Sequence, residues 1–335
     1  MQYVKFGNTG MKVSRFCLGA MTFGGHLRSG LDEQASARVV DEALDHGVNF
    51  IDTADSYGDS EETLGRILPP EKRERVYLAT KVFRCFCRDN RVARNSRVNI
   101  INSLERSLRL MKTDYVDLYQ LHHPDPDTPA DETLSTLDML VKQGKIRYVG
   151  VSNHYAWQMA YMLGLCKAAG WEPLVSVQSN YGLLDRQVER EIVPFCEKFN
   201  IAMMCYSPLA RGVLTGKYHK GESSEEISEA SKRLTEQYVV DPDVAEVVAE
   251  LRAVAEENGV AMNQAAILWL MSRPRATAVI LGGSKPEHFT QIYEIADREL
   301  PEEAIARLDK VAGNRIYQPF RNQSMIGGPG VARIG

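Results

Sequence analysis

Four side chains that together support acid–base chemistry stand at or just after short apolar runs of this chain. Asp52 and Tyr57 accompany the run VNFIDT, Lys81 lies in VYLATKV, and His122 ends YVDLYQLH. Free tyrosine has a pKa of about 10, and a neighbouring ammonium stabilises the phenolate, so Lys81 is expected to lower the pKa of Tyr57. Asp52 would keep Lys81 charged, and His122 would hold a carbonyl oxygen. A proton donor over a carbonyl also requires a partner that delivers hydride.

Each of these residues also has a structural explanation when it is taken alone. An aspartate at the end of a strand often caps a turn or helix. Lys81 is compatible with an ordinary exposed lysine, and His122 with a hydrogen-bonded structural histidine. Only the joint pattern points to catalysis, and it requires a fold that brings the ends of several strands together.

Eight short apolar runs alternate with amphipathic helical stretches. This pattern indicates a parallel sheet covered on both faces, and eight units favour a closed (β/α)8 TIM barrel. An open doubly wound sheet is the alternative, but its three-glycine phosphate fingerprint is absent. YVKF and KVSR, joined by GNTG, predict an N-terminal hairpin. The predicted strands are RFCLG, VNFIDT, VYLATKV, YVDLYQLH, IRYVGVSN, LVSVQSN, IAMMCYSP and TAVILGG, and the helical stretches include 32–47, 95–111, 130–144, 155–170, 186–200 and 242–259.

Polar residues follow most of the predicted strands, where a barrel of this kind builds its active site. They form one predicted ring: Asp52, Tyr57, Lys81, His122, Ser152, Asn153, Gln178, Asn180, Tyr206, Ser207 and the GGSK segment 282–285. Three segments exceed a minimal barrel and are candidates for substrate walls at the same mouth: 83–95, 215–240 and the tail 313–335.

Composition favours a small-molecule enzyme over other classes. The chain has 335 residues, 44% of them hydrophobic, a formal net charge of −4 and a pI near 6.0. We expect a single barrel domain over 1–335, with its core at about 15–313 and a tail at 314–335. Scattered basic residues argue against nucleic acid, and no apolar run is long enough for a membrane span, so a cytoplasmic location is expected. The oligomeric state stays open.

The cysteines and histidines do not suggest a metal site. Six cysteines are too irregularly spaced for a disulfide scaffold and are expected to be reduced. CFC lacks a second pair of ligands. His122 and His123 are neighbours on a predicted strand, so they are expected to point to opposite faces. No metal is predicted.

The motifs GVNFIDTADSYGDSEETLG, VYLATK, MKTDYVDLYQLHHPD, GKIRYVGVSN and CYSPLARGVLTGKY together resemble the aldo-keto reductases, in the branch that includes potassium-channel β subunits and many bacterial reductases. The resemblance runs from about Phe6 to about Val311. It implies an eight-stranded barrel whose hairpin closes the bottom, with a nicotinamide cofactor across the top. The family's catalytic tetrad falls on Asp52, Tyr57, Lys81 and His122.

The resemblance also implies cofactor contacts. Ser152, Asn153 and Gln178 would bind the carboxamide, Tyr206 would stack on the nicotinamide ring, and the segment after Tyr206 would follow the pyrophosphate. The full predicted set is Ala20, Met21, Ser152, Asn153, Gln178, Tyr206, Ser207, Leu209, Arg211, Gly212, Lys217, Gly282, Ser284, Lys285, His288 and Gln291.

The adenosine end departs from the family's pattern. GGSKPEHFTQI supplies Ser284 and Lys285, but His288 stands where Gln or Arg is usual, and Gln291 and Ile292 stand where Glu and Asn are usual. Lys285 could meet a 2′-phosphate as a point charge, assisted by the helix start after Pro286. NADP(H) is therefore expected, and equal use of NAD is the alternative.

The predicted activity is reversible reduction of an aldehyde or ketone, with Tyr57 as proton donor. One rival is a regulatory subunit that senses the state of the cofactor. Another is a non-redox barrel enzyme that uses Lys81 as a Schiff-base nucleophile. The substrate is left open, and Phe23, Phe86, Tyr155 and Tyr317, with Met21, are candidate pocket residues.

Overall fold

The structure is a computed structural model, and it describes residues 1–25, 30–83, 94–216 and 241–317. Phe86 and Lys217 lie outside these ranges, as does the tail from 318 onward. The predicted walls 83–95 and 215–240 also fall largely outside the described residues. Tyr317 ends a short 3-10 helix, Gly313–Tyr317, but its side chain is not described.

Eight parallel strands close into a barrel, as the alternation of runs and helices predicted. They pair in chain order from β3 to β10, and β10 closes the ring by pairing with β3. The strands are Tyr3–Lys5 (β1), Lys12–Ser14 (β2), Phe16–Gly19 (β3), Phe50–Asp52 (β4), Tyr77–Val82 (β5), Val116–Leu121 (β6), Ile146–Ser152 (β7), Leu174–Asn180 (β8), Ala202–Tyr206 (β9) and Ala276–Leu281 (β10). All eight predicted barrel runs are strands, which confirms the (β/α)8 prediction.

Helices pack around the barrel and connect its strands. Local signals explain several boundaries: Asp32 and Ser96 cap the starts of two helices, and Gly170 ends a third in the left-handed conformation. The helices are Glu33–Asp45 (α1), Ser60–Ile67 (α2), Pro70–Arg73 (α3), Arg97–Met111 (α4), Ala130–Lys142 (α5), Ala156–Ala169 (α6), Ile192–Phe199 (α7), Pro242–Glu257 (α8), Met262–Met271 (α9), Glu287–Tyr293 (α10) and Glu302–Val311 (α11).

The expectation of one helix over 186–200 is wrong. A 3-10 helix, Gln187–Arg190, precedes α7, and Glu191 between them has φ −141° and ψ −38°. This extended φ interrupts the helical backbone at Glu191. The apolar periodicity that predicted one helix therefore spans two separate elements.

The N-terminal hairpin of β1 and β2 closes the lower end of the barrel. Phe6 is fully buried and meets Phe50 edge to face, with ring centroids 5.5 Å apart. Gly7 has a φ of +55°, and a Cβ there would stand 2.9 Å from backbone atoms of Val175, Asn200 and Ala202. The hairpin therefore fits against the starts of β8 and β9 only because this position has no side chain. The opposite end, where the carboxyl ends of the strands meet, is the end at which a barrel of this kind builds its active site.

Helix α2 follows the turn that contains Tyr57, and close contacts hold it against β5 and α4. A Cβ at Gly65 would lie 2.0 Å from the carbonyl oxygen of Leu110, so α2 and α4 meet at backbone distance. Glu61 is buried and accepts a 2.7 Å hydrogen bond from the Thr80 hydroxyl. Two contacts thus fix the helix that begins three residues after Tyr57.

The described cysteines Cys17, Cys166, Cys196 and Cys205 are free and buried. Among the helices of the described ranges, none has both the length and the apolar character that crossing a bilayer demands.

Candidate active site

Asp52, Lys81 and Tyr57 meet at the upper end of the barrel. Lys81 is fully buried, and its Nζ donates to Asp52 Oδ2 at 2.5 Å and to the Thr53 carbonyl at 2.9 Å. The same Nζ lies 3.4 Å from Tyr57 Oη and 4.9 Å from the centroid of that ring. The buried ammonium of Lys81 thus lies between the Asp52 carboxylate and the Tyr57 phenol.

Lys81 lowers the pKa of Tyr57 as expected, but its effect is too small to bring that pKa below the ordinary value. Burial raises the pKa of Tyr57, and the Lys81 charge lowers it by less, so the pKa lies above its ordinary value of 10.0. The Asp52 charge adds to the rise. Tyr57 therefore holds its proton at neutral pH and is set up as a donor.

Lys81 keeps its charge although it is enclosed. Burial alone would lower its pKa, but the charges and hydrogen bonds of Asp52 and Tyr57 outweigh burial, and the pKa stays above the ordinary 10.5. The ammonium is therefore protonated at neutral pH, which suits a hydrogen-bond donor and disfavours a nucleophilic amine.

His122 completes the cluster from the far side of Tyr57. The two rings meet edge to face with centroids 5.7 Å apart. Burial first, then the charge of Lys81, holds the pKa of His122 well below 6.5. Ser56 Oγ lies 3.4 Å from His122 Nδ1, so with the Ser56 hydroxyl as donor the imidazole proton is on Nε2. A neutral imidazole can then donate to a bound oxygen.

The expectation that His122 and His123 point to opposite faces is wrong. Strand β6 ends at Leu121, so the alternation of a strand no longer applies to the two histidines. Their rings stack with centroids 4.9 Å apart and an interplanar angle of 14°. Within the described ranges, no group of three or more potential ligands is arranged to hold a metal ion.

Ser152, Asn153, Gln178 and Tyr206 form a polar shelf beside the tetrad, from β7, β8 and β9. Asn153 is left-handed at φ 61° and donates through Nδ2 to the His122 carbonyl and to Ser152 Oγ, both at 3.0 Å. Its Oδ1 accepts from Tyr206 Oη at 2.7 Å. Gln178 reaches Asp52 instead, through Nε2 at 3.0 Å. The shelf is therefore bonded directly to the tetrad.

The segment after β9 is a run of unusual backbone. Ser207, Ala210 and Arg211 have φ values of 54°, 46° and 58°, and Gly212 follows at 93°. A left-handed residue with a side chain costs about 1 kcal/mol, so three in six positions point to a functional constraint. Successive amides in such turns form concavities that bind anions. Leu209 is half-buried here, and Arg211 is exposed.

The loop that follows β10 is far more open. Gly282, Lys285, His288 and Gln291 are exposed, and Ser284 is half-buried. Thr22 fixes the loop by donating to the Gly283 carbonyl at 2.8 Å. Helix α10 has seven residues and carries an acidic residue, Glu287, in its first turn, which weakens its start as an anion site.

The remaining pocket residues divide between surface and core. Met21 is 50% exposed and follows the buried Ala20, whose N–H donates to the Asp52 carbonyl at 2.9 Å. Tyr155 is half-buried at the start of α6. The prediction that Phe23 lines the pocket is wrong: it is 0% exposed and packs in the core, so it has no surface to offer a substrate.

Three more residues support the site: Gln120 and Asp55, which were not predicted, and Phe83, which is the first residue of the predicted wall 83–95. Gln120 donates to Asp52, Asp55 accepts from the Phe83 N–H through both carboxylate oxygens, and Phe83 packs edge to face on His122. Gln120 could have been noticed because it is a polar residue within the otherwise apolar end of β6, two positions before His122. Asp55 carries no comparable signal.

The closed parallel barrel is a TIM barrel, and it brings a buried Asp–Lys pair, a phenol and a neutral imidazole, groups capable of acid–base chemistry, together at its mouth. Comparison with known proteins agrees: the model of the aldo/keto reductase family matches residues 15–312. The chain belongs to this family, whose members are oxidoreductases that use nicotinamide cofactors on small carbonyl compounds.

Several relatives match over nearly their full length. The chain is 32% identical to aldo-keto reductase YhdN of Bacillus subtilis (strain 168), over 97% of this chain and 98% of that protein. It is 33% identical to a probable voltage-gated potassium channel subunit beta of Arabidopsis thaliana, over 97% and 99%. It is 28% identical to versiconal hemiacetal acetate reductase of Aspergillus parasiticus, over 90% and 95%.

Proposed function

We propose that the chain is an NADP(H)-dependent oxidoreductase that reduces an aldehyde or ketone to an alcohol, with Tyr57 as the proton donor. The observation that carries the proposal is the chain of contacts from Asp52 through Lys81 Nζ to Tyr57 Oη, at 2.5 and 3.4 Å. It supplies a protonated phenol next to a fixed positive charge, which is what a carbonyl oxygen needs as it gains negative charge.

The residues around the tetrad fit a nicotinamide dinucleotide. Ser152 and Gln178 offer a hydroxyl and an amide to the carboxamide, and Tyr206 offers a ring face. The left-handed segment 207–212 fits a pyrophosphate through its backbone amides. When bound, the reduced nicotinamide supplies a hydride to the carbonyl carbon. Tyr57 gives its proton to the carbonyl oxygen, Lys81 stabilises the resulting phenolate, and His122 orients the oxygen through its neutral imidazole.

Preference for a 2′-phosphate rests on the loop after β10. Lys285 provides a positive charge and Ser284 a hydroxyl, whereas Glu287 opposes them. Both Lys285 and Glu287 are exposed, so solvent screens their charges, and the preference is expected to be modest.

The assay is direct. Purified protein is mixed with NADPH and 4-nitrobenzaldehyde, and the loss of reduced-cofactor absorbance is followed. Turnover that depends on Tyr57 supports the proposal. The proposal would be contradicted if the protein bound NADPH but turned over none of a panel of aldehydes and ketones.

A second candidate is a cofactor-sensing regulatory subunit. It is favoured by the similarity to the Arabidopsis thaliana protein named as a probable potassium channel subunit beta. Binding of NADPH without turnover is its signature in the same experiment. A Schiff-base enzyme is disfavoured by the protonated state of Lys81. Borohydride trapping of a substrate adduct on Lys81 would overturn that conclusion.

A further inference from the structure

Gln120 lies beneath the tetrad, where it contacts none of the atoms that react. It belongs to β6, is 0% exposed, and stands beside Lys81 in the pairing of β5 with β6. Its Nε2 donates to Asp52 Oδ1 at 3.0 Å. A buried amide that lacks a hydrogen-bond partner is costly, so the hydrogen bond to Asp52 fixes the orientation of the Gln120 side chain.

The direction of this hydrogen bond is fixed by chemistry. The Asp52 carboxylate that pairs with Lys81 only accepts, so Gln120 must present its NH₂ group to it. Gln178 does the same: its Nε2 lies 3.0 Å from Asp52 Oδ1 and 3.5 Å from Gln120 Oε1. The two amides occupy Oδ1 together, and Oδ2 is left to meet Lys81 Nζ at 2.5 Å.

A glycine makes the room that Gln120 uses. Gly150 is its neighbour in the pairing of β6 with β7. A Cβ at Gly150 would lie 3.1 Å from Gln120 Cγ and 2.5 Å from Ser176 Oγ. A side chain there would push against the glutamine in the barrel interior. Gly150 of β7 therefore leaves the space that the Gln120 side chain occupies.

We propose that Gln120 is a positioning residue: it holds the Asp52 carboxylate in the orientation in which Oδ2 binds Lys81, and thereby holds Lys81 beside Tyr57. The inference rests on the proposed reductase function. In that function Gln178 also serves the carboxamide of the cofactor, so Gln178 is shared between Asp52 and a ligand. Gln120 is enclosed below the mouth and keeps its bond to Asp52 whether or not the cofactor is bound.

Two substitutions test the role. Gln120→Leu keeps the approximate size but removes the donor, and kcat is expected to fall about 10- to 100-fold at every pH, as for the loss of a hydrogen bond to a charged group. Gln120→Glu donates only while its new carboxyl is protonated. Its kcat is expected to be near wild type at low pH and to fall as the pH rises. The Kd for NADPH should change by less than about threefold in both variants.

The titration of the new carboxyl provides a readout that does not require turnover. Position 120 is hydrogen-bonded to Asp52 and pairs with Lys81 of β5, and three further titratable groups, Tyr57, Cys17 and His122, interact electrostatically with that carboxylate or that ammonium. In ¹³C-labelled Gln120→Glu, burial and Asp52 should raise the pKa of the new carboxyl. Adding Asp52→Asn should lower it again, because the like charge is removed.

The outcomes separate this inference from the proposed function. Gln143→Glu is the matched control, because Gln143 is an exposed residue at the end of α5, and it should behave as wild type. Wild-type kcat in Gln120→Leu, or equal losses in Gln120→Leu and Gln120→Glu at all pH values, would overturn the positioning role. If the wild type reduces no carbonyl, the proposed function fails. The positioning role is then read from Lys81: it stands if Gln120→Leu shifts the ¹⁵N signal of Lys81 Nζ while Gln143→Glu does not, and it falls if Gln120→Leu leaves that signal unchanged.

Discussion

Two regions of the same mouth are built in opposite ways. The tetrad region, Asp52, Tyr57, Lys81 and His122, is packed on strand ends, and Lys81 there is 0% exposed with three hydrogen-bond partners. The β10 loop, residues 282–291, presents Lys285 in the open. Lysine is therefore buried and hydrogen-bonded in the tetrad region, and exposed to water in the β10 loop. A lysine charge is thus held in place and desolvated at the strand ends, whereas the lysine charge of the β10 loop is free to be screened by solvent.

The largest effect is expected from removing the phenol of the tetrad region. Tyr57→Phe should lower kcat about 10²- to 10⁴-fold and leave the Kd for NADPH nearly unchanged, because it removes the proton donor without removing the ring. Steady-state rates and cofactor titration measure the two quantities. Wild-type turnover by this variant would mean that another group supplies the proton.

The two lysines allow a matched comparison of stability. Lys81→Met should reduce the free energy of unfolding by about 3–5 kcal/mol, because Asp52 is left buried without its counter-charge. Lys285→Met should change it by no more than about 0.5 kcal/mol, as for an ordinary surface position. Urea unfolding of both variants measures the difference. Equal losses would contradict the contrast between the two regions.

The pH dependence of reduction should be flat across neutrality. His122 has a pKa well below 6.5, so lowering the pH through 6.5 does not charge it. Tyr57 has a pKa above 10.0, so the proton is lost, and reduction falls, only above that value. A profile of kcat/KM for an uncharged aldehyde at saturating NADPH, which reports the enzyme–cofactor complex, checks both limits. An acid limb near 6.5 that survives His123→Gln would show that His122 titrates in its ordinary range.

A smaller effect is expected on the polar shelf. Tyr206→Ala should weaken NADPH binding by about 1 kcal/mol, because it removes a stacking face and frees Asn153 Oδ1. Isothermal titration gives the affinity, and a thermal melt gives the control. A collapse of Tm with unchanged affinity would assign Tyr206 to packing.

The smallest effect is expected at the β10 loop. Lys285→Ala should reduce the ratio of kcat/KM with NADPH to kcat/KM with NADH by a few-fold, since an exposed charge pair is worth at most about 1 kcal/mol. Glu287→Gln should raise the same ratio, because it removes an opposing charge. A ratio of one in the wild type, or a ratio that neither variant alters, would show that this loop does not select the phosphate.

Much of the fold could be predicted from the chain. Eight apolar runs that alternate with helical patterns led to the closed barrel, and GNTG led to the hairpin. The split at Glu191 was missed because apolar periodicity does not report a single interrupted φ. Phe23 was assigned to the pocket for a related reason. An aromatic residue just after a strand can line a pocket or pack in the core, and its type alone does not distinguish the two.

The sequence by itself determined which residues stand at the ends of the strands, since the alternation of strand and helix sends every carboxyl end of a barrel strand to one side. That was enough to bring Asp52, Tyr57, Lys81 and His122 to one mouth. Only the tertiary structure decided their electrostatics. Burial outweighs the ammonium at Tyr57, Asp52 and Tyr57 together outweigh burial at Lys81, and Gln120 reaches Asp52 across the barrel interior. These balances depend on distances between strands that are far apart in the chain, and no local pattern encodes them.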